Sequence, residues 1–369
     1  MEQLPPRFEA VVPPVATVPD HEIGGHRVFS WAGRLSRLAS YLPVALNVGV
    51  IRDPSVRRCR LIYTWGRIPL WPRRPRYVIE LDNPYVLTLY HNIAAHRRMR
   101  PVLRSLLLSR RCAGIVCISK ACRSTLESEL GGDVADRASV VYPYIARGPQ
   151  ATPGVSQGPL KLICVGTQFW LKGGRELCAA VGRLADRGVD VHLTIVSRAP
   201  SEVREHHQHH PIEFVDHVDR SVVTERLLPA ADVFVLPSVQ ESFGLAALEA
   251  LAAGLPILAT DLYALPELVQ DGTTGILLAD PLGLWRPDGT AEPSLWTKRD
   301  IDAVARDRPF PTLRTELERT IEELATDRVR VRSMGIAAQA HFETHFAPEQ
   351  RAADFSDALL AMLDSGVDR

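Results

Sequence analysis

Two glutamates, Glu241 and Glu249, bracket a Phe243-Gly244 step in the run DVFVLPSVQESFGLAALE. Carboxylates accept hydrogen bonds from paired hydroxyls of the kind that sugars and riboses present. A helix opening near Ser242–Gly244 leaves the N–H groups of Ser242, Phe243, Gly244 and Leu245 unpaired and weakly positive, which makes an anion site. Gly244 has no Cβ, so the backbone can approach a phosphate closely. Successive helical residues turn by about 100°, which sets the two carboxylates about 80° apart in projection and at most about 12 Å apart along the axis. They can therefore reach different parts of one elongated ligand. Upstream, Lys172 in the run LKGG is one of only four lysines, with Lys120, Lys161 and Lys298, in a chain of 43 Lys+Arg. An ammonium there could neutralise a diphosphate. Without a ligand, Glu241 is a charge at a helix start, Glu249 a solvated helix position and Lys172 a loop lysine.

These residues need strand ends and helix starts to hold them. Asp232–Leu236 predicts a buried strand and Gly244–Ala252 a helix. Leu160–Val165 and Val191–Val196 predict strands, with a helix over Gly174–Arg187 between them and another over Val222–Leu228. Ile257–Ala259 and Gly275–Leu278 complete the strands of this block. In the first half, Arg60–Thr64, Tyr77–Leu81, Gly114–Ile118 and Ser139–Tyr142 predict strands, with helices over Ala94–Leu108 and Lys120–Leu130. Strands alternating with helices mean parallel sheets covered on both faces. Residues 146–159, ARGPQATPGVSQGP, have linker composition. The expected organisation is a first α/β domain over 1–150, a second over 151–347, and a helix over 348–369 that returns to the first. Residues 1–25 are Pro-rich and predict an extended arm. Residues 280–310, a long stretch with Pro, Gly, Asp and two Trp, predict an insertion in the second domain. Helices over Thr312–Ala325, Arg328–His345 and Pro348–Leu363 follow.

Composition bounds the answer. The chain has 369 residues, 46% apolar and 23% charged, which is globular and large enough for two cores. Formal net charge is zero, yet residues 1–150 hold 22 Arg+Lys against 11 Asp+Glu and the remainder 21 against 32. A basic half joined to an acidic half fits either two domains with different partners or complementary charge between them. The six cysteines form no CxxC pair, so buried thiols in a reducing cytosol are expected. His206, His207, His209 and His210 lie in a polar run that reads as solvated loop rather than metal site. No secretory signal is visible, and no stretch reaches the roughly 18 apolar residues of a membrane span. The basic residues lack interleaved aromatics, so no nucleic-acid partner is expected. No GxGxxG follows a strand, which argues against a dinucleotide dehydrogenase.

The runs ADVFVLPS, ESFGLAALEALAAGLPILATD and PELVQDGTTGILL, over Ala231–Leu278, resemble the donor domain of the retaining family-4 glycosyltransferases, with their EX7E signature. ICVGTQFWLKGGRELCAAV is similar to that domain's first strand, loop and helix. GIVCISKACRSTL and VVYPYI resemble the end of the family's acceptor domain. The resemblance implies a GT-B fold, two Rossmann-like domains facing across a cleft. It implies retaining transfer from a nucleotide-diphosphate sugar to a hydroxyl acceptor, with no metal and no cofactor beyond that substrate. Glu249 would take the donor ribose and Glu241 the transferred sugar. Gly166, Thr167 and the backbone of Ser242, Phe243, Gly244 and Leu245 would line the donor, and Lys172 would face the diphosphate. Thr167 stands where the family usually has Arg, so a point charge is lost, and Arg175 or Arg198 could substitute. The family's Gly-rich N-terminal loop is matched only by Gly24 and Gly25. Asp82, at the end of the strand YVIELD, is the first choice for a catalytic or acceptor-side role, with Asn83 and His91 behind it. The alternative for Asp82 is a cap on the helix that Pro84 opens. Arg97–Arg111 could lie on an anionic membrane surface near a lipid-linked acceptor, or be a surface helix with its Leu face inward. Location is expected to be cytoplasmic, peripheral at the inner membrane face in the first of those cases. The rival functional reading is a catalytically silent chain that binds a nucleotide-sugar or a partner transferase.

Overall fold

The alternating segments close into parallel sheets in two separate units. The computed structural model describes residues 46–50, 59–70, 75–90, 93–152, 158–216, 218–295 and 298–364. The arm over 1–25, with Gly24 and Gly25, and His91 lie outside the described residues. The first unit holds the described residues up to Ile118, then Cys122–Val141, then the chain from Ala352 onward; the second holds Ser119–Ala121 and Tyr142–Arg351.

In the first unit, β1 (Val48–Val50) pairs in parallel with β3 (Ile68–Leu70). The main sheet runs β2 (Leu61–Trp65), β4 (Arg76–Leu81), β5 (Cys112–Cys117), β6 (Ala138–Val140), all parallel. Every residue of β5 is buried, as a strand covered on both faces requires. One cover is the helix Ile93–Leu108, which sends Leu103 and Leu107 into the core beside Ile79 and Ile115. The other is the C-terminal helix Pro348–Asp364, whose Ala358, Leu359 and Met362 join Val78, Ala113 and Val116. Met362 lies over Gly114, where an added Cβ would come within 2.4 Å of its side chain.

The helix Ile93–Leu108 uses its arginines internally. Arg97 and Arg100 reach the buried Glu129 at 3.1 and 3.3 Å, and Arg104 pairs with Asp133 at 2.6 Å. Arg100 and Arg104 also donate to carbonyls of Ser128, Glu129 and Leu130, which caps the C-terminal end of the helix Lys120–Leu130. No helix among the described residues is long and apolar enough to cross a membrane.

The same region buries His96 completely, with Nδ1 3.0 Å from the Thr88 hydroxyl and the ring edge-on to Tyr85. Burial drops its pKa to about 4 from an ordinary value near 6.5. The folded state therefore prefers the neutral ring. Its contribution is full above pH 6.5 and is lost as pH falls from 6.5 toward 4, because the unfolded chain then binds the proton more readily. Unfolding free energy should fall by about 2 kcal/mol between pH 7 and pH 5 on this account. Urea titrations of the wild type and His96→Gln at both pH values check it; equal pH slopes in the two proteins would remove His96 as the cause.

In the second unit the sheet order is β12 (Gly275–Leu278), β11 (Ile257–Thr260), β10 (Val233–Leu236), β7 (Leu160–Val165), β8 (Val191–Val196), β9 (Ile212–Val215), all parallel. Strand order reverses between β7 and β10, and both of these strands lead into the candidate donor loops. Asp232 ties the pair: its buried carboxylate accepts from the Lys161 backbone N–H at 2.9 Å.

Several expectations change. The strand β9 was not anticipated. The predicted helix over Val222–Leu228 is instead a short helix, Arg220–Val222, followed by a π turn, Val223–Leu227. The histidine run is not simply solvated loop. The helix Ser201–His206 ends in it, His207 is buried, and its Nδ1 lies 3.0 Å from that of His210. No metal-holding group of His, Cys, Asp or Glu occurs among the described residues. Within the expected insertion over 280–310, a bridge joins Trp285 to Ala291, and Lys298–Asp307 is a helix that buries Ile301 and Ala305. The 146–159 stretch lacks helix or strand where described, yet Arg147 pairs with Glu343 at 2.7 Å and Ala151 N–H donates to Ala253 at 2.8 Å.

Candidate functional site

Parallel sheets present their ligand crevice at the carboxyl ends of the strands where strand order reverses. In the second unit that point lies between β7 and β10, and a cleft of about 530 Å³ opens there, a size suited to a small ligand. Gly166, Thr167 and Lys172 reach it from the loop after β7. Glu241, Ser242, Gly244, Leu245 and Glu249 reach it from the loop and helix after β10.

The loop after β7 is a compact turn. Lys172 N–H donates to Gln168 at 3.0 Å, and Gly174 N–H to Phe169 at 3.0 Å. The helix Gly174–Asp186 starts from Gly173, which holds φ at +68° with no side-chain cap. Gly166 lies beneath the Lys172 stem, where a Cβ would come within 2.7 Å of Cγ. The stem is thus packed and the ammonium aimed: Lys172 Nζ donates to Glu241 Oε2 at 2.6 Å. The pair is largely buried, with side-chain exposures of 17% and 11%. Glu241 Oε1 accepts from the Ser242 N–H at 3.2 Å.

The helix after β10 spans Leu245–Ala252, later than the sequence pattern suggests. Gly244 is its N-cap at φ +92°, and the first backbone bond of the helix runs from Leu248 N–H to the Gly244 carbonyl at 3.0 Å. The N–H groups without a helical partner at this start are therefore those of Gly244, Leu245, Ala246 and Ala247. The Phe243 ring is buried, tilted against Tyr142 at 6.2 Å, and Phe243 is not among the cleft residues.

Glu249 lies inside this helix but is not a solvated position: it is buried against the cleft. Burial pushes its carboxyl pKa up, and an ion pair with Arg220 pulls the other way. Arg220 comes from the short Arg220–Val222 helix and is missed by sequence reasoning. No spacing rule links it to Glu249; only the path of the chain after β9 does.

The two arginines considered as substitutes for the missing charge at Thr167 separate. Arg198, after β8, is exposed and lines the cleft. Arg175 does not line it. Its guanidinium donates to the carbonyls of Ala305, Arg306 and Arg308 and stands over the Trp170 ring, so it caps the helix Lys298–Asp307. The insertion is thereby fastened to the first turn of the helix that follows the Lys172 loop.

Asp82 and Asn83 belong to the first unit. Both are buried at the end of β4. Asn83, not Asp82, is the cap: its Oδ1 accepts from Tyr85 N–H at 3.0 Å and opens the 3₁₀ turn Pro84–Thr88. Asp82 Oδ1 accepts from the Asn83 N–H at 2.9 Å and Oδ2 from the Tyr90 hydroxyl at 2.7 Å. Leu89 and Tyr90 both take left-handed backbone, φ 55° and 54°, which side chains with a Cβ rarely adopt. That strained step delivers the Tyr90 hydroxyl to Asp82.

Residues 159–285 match the family model described as glycosyl transferases group 1, and every cleft residue falls within that span. The chain is 35% identical over 144 residues to glycogen synthase of Mycobacterium tuberculosis, 37% of this chain and 33% of that one. It is 33% identical over 187 residues to the D-inositol 3-phosphate glycosyltransferase of Paenarthrobacter aurescens, 45% of each. The matches thus span a third to under half of these relatives' length. Among solved structures it is similar to Anabaena HepE in complex with UDP-glucose, with TM-score 0.59 and 16% identity over 89% of this chain and 84% of that one. Sucrose-phosphate synthase from Thermosynechococcus elongatus gives TM-score 0.59 and 17% identity over 83% and 74%. The chain has the GT-B fold, two Rossmann-like α/β units, and its residues 159–285 match the glycosyl transferases group 1 model.

Proposed function

We propose that this chain is a metal-independent, retaining glycosyltransferase that moves a sugar from a nucleotide-diphosphate donor to a hydroxyl acceptor. One observation supports it most: Lys172, Glu241, Glu249 and the open start of the Leu245–Ala252 helix surround a single cleft at the switch point of a parallel sheet. Glu249 would hold the ribose hydroxyls and Glu241 hydroxyls of the transferred sugar. Charge grows on the diphosphate as the glycosidic bond breaks. A fixed ammonium and unpaired helix N–H groups stabilise that charge more than the ground state, which is what accelerates a reaction. Glu241 orients and does not attack; the donor's own phosphate receives the acceptor proton. Asp82, held by Tyr90, is the acceptor-side group of this reading, and cytoplasmic action belongs to it. Contact with a membrane face would fall to the outer side of the Ile93–Leu108 helix, where Val102 and Leu108 are exposed.

A thermal-shift screen of UDP-, GDP-, ADP- and dTDP-sugars on the wild type and on Glu249→Ala tests the donor site. One sugar-nucleotide should raise the melting temperature of the wild type and fail to do so for the variant. No shift with any of them would end the proposal. Thr167 favours one rival, the catalytically silent binder. Binding without transfer to any acceptor would select it.

A further inference from the structure

We infer that Arg220 is an exchangeable cation. It neutralises Glu249 while the cleft is empty and moves onto the diphosphate when a donor enters, supplying the positive charge that Thr167 lacks. The inference rests on the reading of this cleft as the donor site.

Charge balance leads to it. The acids lining the cleft are Asp216, Glu241 and Glu249, and the bases are Lys172, Arg198 and Arg220. Asp216 is paired with Arg204, which lies outside the lining. Lys172 cancels Glu241 and Arg220 cancels Glu249. That leaves Arg198 as the one lining base outside these pairs, a single positive charge against the two or more negative charges of a diphosphate, so more cation is gained only if one pair opens. The two pairs are not equally able to open. Lys172 is 17% exposed, with its stem held over Gly166. Arg220 is 65% exposed while its partner Glu249 is 9% exposed, so the acid is fixed and the cation can swing.

Both partners also have cause to part. A ribose diol needs the Glu249 oxygens, and Arg220 occupies Oε1 through Nε. Released, the guanidinium offers a planar pair of donors that fits phosphate oxygens in bidentate fashion. The distance is short. Glu249 lies about 6 Å along the axis from the helix start at Leu245, where an anion would rest. An arginine stem covers that. The diol replaces the guanidinium on Glu249, and the guanidinium replaces solvent on the phosphates.

Calorimetry on the full chain tests this with UDP, GDP and ADP, each beside its parent nucleoside. The diphosphate that the wild type binds becomes the probe. Arg220→Ala should weaken that diphosphate about tenfold or more, the range for a lost charge-assisted hydrogen bond. The nucleoside should bind as well as before or better, since Glu249 is vacated. Adding Thr167→Arg to Arg220→Ala should restore most of the diphosphate affinity. The inference is overturned if Arg220→Ala leaves diphosphate affinity unchanged. It is equally overturned if diphosphate and nucleoside weaken by the same factor, or if Thr167→Arg rescues nothing. If the wild type binds none of the diphosphates, the donor-site reading fails and this inference falls with it.

Discussion

Lys172→Ala is expected to lower transfer turnover about a hundred- to a thousand-fold, the range seen when one preorganised electrostatic donor is removed from a reaction centre. The loss should fall more on kcat than on KM, because leaving-group charge is greatest in the transition state. The same change should also weaken the fold. Lys172 and Glu241 form a 2.6 Å pair with side-chain exposures of 17% and 11%. Removing one member leaves an acid largely out of water without its partner, which costs about 3–5 kcal/mol in such pairs. Two further variants separate the effects. Lys172→Arg keeps the charge and should recover the melting temperature and part of the turnover. Lys172→Met keeps the stem over Gly166 but not the charge, and should recover little turnover. If Lys172→Met works within about threefold of the wild type, the ammonium has no part in the chemistry and the electrostatic role assigned to it is wrong.

How much of this was legible in the residues follows from what each depends on. The strands β7, β8 and β12 stand where short runs rich in Val, Ile and Leu predict them, even with Lys161 in β7 and His192 in β8 breaking the apolar run. The three helices after residue 310 begin and end within a residue or so of their expected positions, since a helix of this length repeats its apolar period several times. Lys172, Glu241 and Glu249 could be found because local motifs mark strand ends and helix starts. Arg220 could not: its relation to Glu249 exists only once the chain after β9 has returned to the cleft. The helix Lys298–Asp307 was hidden for a related reason. It is short, Ile301 and Ala305 are its buried residues among those described, and much of what seats it is Arg175 from another part of the chain. The 146–159 stretch shows what composition can and cannot say. Gly and Pro rule out helix and strand, but they do not rule out fixation by Arg147.

Gly173→Ala should be among the most damaging single-methyl changes in the chain. Two penalties meet at this position. Its φ is +68°, a left-handed conformation that costs a residue with a Cβ about 1–2 kcal/mol. The added Cβ would also lie 2.0 Å from the Pro237 carbonyl oxygen and 2.9 Å from its carbon. Those atoms are backbone, so no side chain can simply turn aside. Pro237 directly follows β10, and Gly173 directly follows Lys172, so the methyl would push apart the two loops that carry Lys172 and Glu241. The N–H of Val239 donates to the Leu171 carbonyl at 2.9 Å and, beside the Lys172–Glu241 pair, ties those loops together. Gly272→Ala is the control. Its φ is +73°, but nothing lies within 4 Å of its added Cβ, so it carries the conformational cost alone. Gly272→Ala should lower the melting temperature by about 2–8 °C, and Gly173→Ala by more than about 10 °C, at the usual conversion for a unit of this size. Nucleotide affinity should fall for Gly173→Ala and stay put for Gly272→Ala. Equal shifts in the two variants would mean that the loops after β7 and β10 tolerate separation, and that their close contact is not what sets Lys172 against Glu241.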